Sequence, residues 1–68
     1  MGARIRYLRQ RRVLTLQELA DRAGIPRYQT ILDIETGKRQ PRPSTLRKIA
    51  AGLGVEPSDL LPENGDAA

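Results

Sequence analysis

The chain has 68 residues, no cysteine, no histidine and a net charge of +4. A chain this short makes one domain at most and buries only roughly 60% of its unfolded surface, so every apolar position counts. Without thiols or imidazoles it lacks a disulfide staple, the commonest general base and the commonest metal ligands, which argues against an enzyme and against any metal or other cofactor.

Helix one is expected over residues 3–12, with Ile5 and Leu8 on one side and arginines over the rest. Thr15-Leu16-Gln17-Glu18 is a start signal: Thr15 caps the next helix and Glu18 reaches back to its amide, a capping box. Leu14 before the cap pairs with Leu19 as a hydrophobic staple. Helix two then runs from Leu16 to about Ala23, with Leu19, Ala20 and Ala23 inward, and Gly24 stops it. Pro26 disfavours helix at Ile25, so the chain turns there. Helix three starts near Arg27 or Tyr28 and ends at Thr36, before Gly37. Ile31, Ile34 and Glu35 form its inner face, and Gln29, Leu32, Asp33 and Thr36 its outer face.

A loop with Lys38, Arg39 and Arg42 interleaved with Pro41 and Pro43 follows. Helix four is expected from Ser44 or Thr45, with an apolar stripe of Leu46, Ile49, Ala50 and Leu53 and a stop at Gly54. Residues 57–61 read as a short fifth helix with Pro57 in its first turn. The expected fold is an all-α, compact five-helix bundle over residues 1–61, with a disordered tail over residues 62–68.

Charge placement says more than charge size. Residues 4–12 and 38–48 carry blocks of base without acid, while Glu56, Asp59, Glu63 and Asp66 make the last stretch acidic. Such blocks suit a polyanionic partner, and they suit mere solubility about equally. No apolar run approaches the roughly 20 residues of a membrane span. The basic N-terminal stretch leads into no apolar core, so a secretory signal is not expected, nor does residue six suit myristoylation. A cytoplasmic place in a bacterial or phage context is the expectation.

The segment "LTLQELADRAGIPRYQTILDIETGKRQP" resembles the helix-turn-helix family of phage repressors and Cro, the XRE family. The resemblance runs from about Ile5 to Leu61 through Leu8-Arg9, Glu18-Leu19-Ala20, Ala23-Gly24-Ile25, Ile31, Ile34, Glu35, Gly37, Pro41, Leu46, Ile49-Ala50, "LGV" at 53–55 and Leu60-Leu61. Two departures stand out. Leu16 occupies the place where the family has a glutamine, with Gln17 one step along, and the stretch from Gly24 to Ile31 is one residue longer than usual. The turn or the start of helix three must therefore be locally reshaped.

The resemblance implies that Arg9 and Glu35 form a structural pair between helices one and three. It implies that helix three enters the major groove of double-stranded DNA, with Tyr28, Gln29, Leu32 and Asp33 at base edges. Gln29 offers an amide that suits adenine. Tyr28 reaches phosphate or packs on helix two. Leu32 touches a thymine methyl or fills the core, and Asp33 accepts from cytosine or repels a wrong sequence. Gln17, Arg27, Thr30, Lys38, Arg39 and Arg42 are the expected phosphate or minor-groove contacts. One recognition helix reads only a few base pairs, so a homodimer on an inverted repeat is expected, with Val55, Pro57, Leu60 and Leu61 as its contact. The implied function is a transcriptional repressor or regulator without an apparent small-molecule effector. A protein-interaction or antitoxin-like module on the same scaffold is the alternative, favoured by Leu16 and Asp33.

Overall fold

The structure, a computed structural model, describes residues 1–61. The tail expected over 62–68 lies outside the described residues. Four α-helices follow one another: α1 Gly2–Arg11, α2 Leu16–Ala23, α3 Tyr28–Glu35 and α4 Pro43–Leu53. A single 3-10 turn, Pro57–Leu60, closes the series. There is no strand among the described residues.

The fold is all-helical, but the expected fifth α-helix is only this turn. Four residues are too few for a run of i→i−4 bonds, and the turn is closed instead by the Asp59 amide donating to the Glu56 carbonyl at 2.9 Å and the Glu56 amide donating to Asp59 Oδ2 at 3.0 Å. Leu61 behind it is extended, as a residue before proline must be. The start of α4 also differs from expectation. Pro43 stands at its first position, where the missing N–H costs nothing, and Arg42 is the extended cap residue; neither Ser44 nor Thr45 caps it. Helix one runs from Gly2 to Arg11, one residue earlier at each end.

The signals around α2 hold as read. Thr15 Oγ1 accepts from the Glu18 amide at 3.0 Å, and Glu18 Oε1 accepts from the Thr15 amide at 2.8 Å. Gly24 ends the helix in the left-handed conformation, φ 71°. Leu14 and Leu19 are both buried in one core cluster. That core is built from Ile5, Leu19, Ala20, Ile31, Ile34, Ile49, Ala50, Leu53 and Leu60. Here α2 packs on α3 and α4, α1 packs on α3, and the 3-10 turn packs on α4. Gly52 makes the α2–α4 approach possible. A Cβ there stands 3.1 Å from the Ala23 backbone nitrogen and from Leu19 Cδ1, so a larger residue forces the helices apart.

The α1–α2 connection holds one strained residue. Val13 has φ 53°, the only non-glycine with positive φ among the described residues, and it is 86% exposed. A β-branched residue is poorly suited to this region, at roughly 1–2 kcal/mol, and no packing compensates. Part of that gain is offset by the greater unfolded-state freedom of glycine, about 0.5–1 kcal/mol. Val13→Gly is therefore expected to raise stability by about 0.5–1 kcal/mol in a urea titration, and an unchanged or lower midpoint contradicts the strain.

Candidate nucleic-acid interface

The angle of α3 is fixed from behind. Arg9 on α1 donates through Nε to Glu35 Oε2 at 2.7 Å and through Nη2 to Glu35 Oε1 at 3.1 Å, a bidentate fork. Its third nitrogen, Nη1, donates to the Leu14 carbonyl at 2.8 Å. The Glu35 side chain is 2% exposed and that of Arg9 13%. One guanidinium thus ties α1, the α1–α2 connection and the end of α3 together. It also withdraws a carboxylate from the outer surface, where it would repel phosphate.

The chain turns between Gly24, the cap of α2, and Tyr28, the first residue of α3. Ile25 is buried, Pro26 is exposed, and Arg27 is extended as the cap residue of α3, without a side-chain cap bond. The exposed end of α3 therefore carries Tyr28 and Gln29. Leu16, standing in the family's glutamine position, is spent on the core. Gln17 takes the outward place: with Pro26, Arg27, Tyr28 and Gln29 it lines a cleft of about 330 Å³ between the starts of α2 and α3. Leu32 is half-buried yet outside the core cluster. Asp33 is half-buried, and its Oδ1 accepts from Gln29 Nε2 at 3.0 Å. Gln17 Nε2 makes the same i→i+4 bond to Asp21 Oδ1, at 2.9 Å.

The far end of α3 turns directly into the basic loop. Gly37, φ 83°, lets the chain double back, and the amides of Lys38 and Arg39 donate to the Asp33 carbonyl at 2.8 and 3.2 Å. Thr36 is exposed, as its place on the outer face requires, and its hydroxyl donates to the Leu32 carbonyl at 2.9 Å. A second cleft, of about 520 Å³, is lined by Thr30, Ile34, Arg39, Gln40, Pro41, Arg42 and Thr45. Thr30 thus shares a concavity with Arg39 and Arg42, while exposed Lys38 does not line it. Gln40 and Thr45 belong to this group and were missed from sequence. Gln40 sits between the basic residues, so its position held the signal; Thr45 was read only as a helix cap. Asp21 was missed too, although the Gln-to-Asp spacing at 17/21 repeats at 29/33.

The expected dimer patch is corrected at one position. Leu60 is fully buried within this chain, because the 3-10 turn directs it under α4, and it cannot serve as a contact. Val55 is half-buried and packed on the core, Pro57 is half-buried, and Leu61 is 46% exposed. No helix among the described residues is long and apolar enough to cross a membrane.

Comparison with known proteins agrees with this architecture. The helix-turn-helix family profile matches residues 5–60. The chain is 43% identical to the uncharacterised HTH-type transcriptional regulator RghRB of Bacillus subtilis, over 94% of this chain and 46% of that protein. It is 36% identical to the immunity repressor protein of Bacillus phage phi105, over 93% of this chain and 43% of that protein. It thus spans under half the length of these two relatives. The crystal structure of the restriction-modification controller protein C.AhdI from Aeromonas hydrophila superposes with a TM-score of 0.84 at 30% identity, covering 88% of this chain and 89% of that one. The profile match over most of the chain and the superposition of the whole helical fold show that the chain belongs to the XRE-type helix-turn-helix family, a family of transcriptional regulators and not of enzymes.

Proposed function

We propose that this chain binds double-stranded DNA sequence-specifically as a transcriptional regulator, most plainly a repressor, with α3 in the major groove. The observation that carries the reading is the division of labour around α3. Its acid at Glu35 is buried against Arg9, while Gln17, Arg27, Tyr28 and Gln29 line one cleft and Thr30, Arg39 and Arg42 another. Positive groups beside both ends of one helix match the two phosphate strands that flank a groove. Tyr28, Gln29 and Leu32 then meet base edges; Gln17, Arg27, Thr30, Lys38 and Arg39 meet phosphates, and Arg42 reaches the minor-groove side. Both features that suited a protein-interaction module also have a use within the fold. Leu16 packs half-buried against the core, and Asp33 Oδ1 accepts from Gln29.

The same reading includes a two-fold dimer on an inverted repeat. Leu61, with Val55 and Pro57 beside it, is the contact, small enough that assembly takes place on DNA, where the second chain binds at high effective concentration. The experiment is a footprint with a stoichiometric titration on a bound duplex. Two chains per duplex, protecting half-sites about one helical turn (roughly 34 Å) apart, are expected. One chain protecting one asymmetric half-site contradicts the dimer.

A further inference from the structure

We infer that Asp33 is a specificity-determining positioning residue, holding the Gln29 amide in the one orientation that reads adenine. The inference rests on the DNA-binding reading above. Its basis is the 3.0 Å bond from Gln29 Nε2 to Asp33 Oδ1. A carboxylate only accepts hydrogen bonds, so it takes the nitrogen end of the amide and repels the oxygen end. The terminal torsion of glutamine is otherwise broad and nearly two-fold, so a free Gln29 presents either end. The bond to Asp33 biases that torsion toward one end, and the charged acceptor strengthens the bias once a groove excludes water around it.

The amide nitrogen carries two hydrogens. With one engaged by Asp33, the other remains beside Oε1. That leaves one donor and one acceptor, the complement of adenine N7 and N6 in the major groove. Guanine offers two acceptors there, so Oε1 fixed opposite O6 is repulsive. Turning the amide over only sets Oε1 against N7 instead. A free glutamine escapes by pivoting, donating one hydrogen to N7 or O6 with Oε1 swung out to solvent, and the bond to Asp33 opposes that pivot. Asp33 therefore contributes discrimination through one carboxylate oxygen, without touching a base. Its carbonyl accepts from Lys38 and Arg39 at the other end of the same residue, so the backbone under this lock is itself held.

The pair on α2 supplies an internal control. Gln17 and Asp21 repeat the geometry at 2.9 Å, and Gln17 lines the same cleft as Gln29, but on the side assigned to phosphate. Loss of Asp21 should leave base preference alone.

The test uses the full chain and duplexes recovered by the parent from a random pool. Gln29→Ala first identifies the base pair that Gln29 reads. Affinities are then compared for all four bases at that pair, in parent, Asp33→Ala, Asp33→Asn and Asp21→Ala. The parent and Asp21→Ala are expected to favour adenine by about tenfold or more, the range of one good bidentate contact. Both Asp33 variants are expected to fall within about threefold across the bases. Asp33→Asn is the sharper variant, since it keeps size and a bonding partner but accepts either end of the Gln29 amide. Combining Asp33→Ala with Gln29→Ala should cost no further discrimination. Thermal melts of each variant separate a mere helix-stabilising role, which lowers the melting temperature and leaves preference intact. That result, or an Asp33 effect at a different base pair from that of Gln29, overturns the inference. A parent that recovers no common sequence overturns the DNA-binding reading itself, and this inference with it.

Discussion

Glu35→Ala is expected to lower the free energy of unfolding by about 3 kcal/mol, the cost of leaving one partner of a buried ion pair alone. Both oxygens of Glu35 are engaged by one guanidinium, at 2.7 and 3.1 Å, and its side chain is almost wholly buried. The abandoned Arg9 keeps only the Leu14 carbonyl and slight exposure with which to recover water. In a domain of this size, with total stability near the lower end of about 5–15 kcal/mol, the loss is a large share. Arg9→Lys should fall between parent and Arg9→Ala, since an ammonium keeps the charge but cannot span both carboxylate oxygens and the carbonyl. Urea titrations of the three variants check this. A Glu35→Ala protein that unfolds like its parent removes the account of how α3 is held.

Affinity for DNA should fall about 150-fold between 50 and 200 mM salt for each chain if four phosphate charges are neutralised, by Arg27, Lys38 and Arg39 at the backbone and by Arg42 from the minor-groove side. Each neutralised phosphate adds about −0.9 to the log–log slope, giving about −3.6 per chain and about twice that for a pair of chains on one duplex. Lys38→Ala should flatten the slope by about 0.9 per chain while leaving base preference alone, because Lys38 is exposed on the loop beyond α3. The loop is suited to this use: Pro41 and Pro43 limit its freedom, and the Lys38 and Arg39 amides are tied to Asp33, so less entropy is lost on binding. Affinity independent of salt removes the electrostatic part of the reading.

The legible parts of the fold were those with local chemical causes. Thr15 and Glu18 announce α2 whatever surrounds them, and Gly24 and Gly37 sit where the chain takes positive φ. The inner faces of α2 and α3 followed from spacing alone. What escaped was set by packing and by phase. Nothing local says whether Leu60 or Leu61 turns inward, because that depends on the short 3-10 turn and on how it meets α4. Arg42 became the cap residue of α4 because Pro43 is preorganised for a first helical position, which outweighed the preference of Ser44 and Thr45 for caps. At the interface, the Arg9–Glu35 pair came from the family resemblance, but the third bond of Arg9 depends on the chain path through Val13. The Gln-to-Asp pairs were present as a spacing, and they escaped because each outward residue was weighed singly and not with its neighbour one turn on.

The central claim is that α3 reads a specific sequence in the major groove, two chains to a site. Recovery of bound duplexes from a random library, with the parent and Gln29→Ala side by side, tests it most directly. The expected outcome for the parent is one enriched inverted repeat, its half-sites about one helical turn (roughly 34 Å) apart, with an adenine in each half that Gln29→Ala no longer demands. A library that emerges unenriched at low salt, or a repeat that Gln29→Ala recovers unchanged, contradicts it.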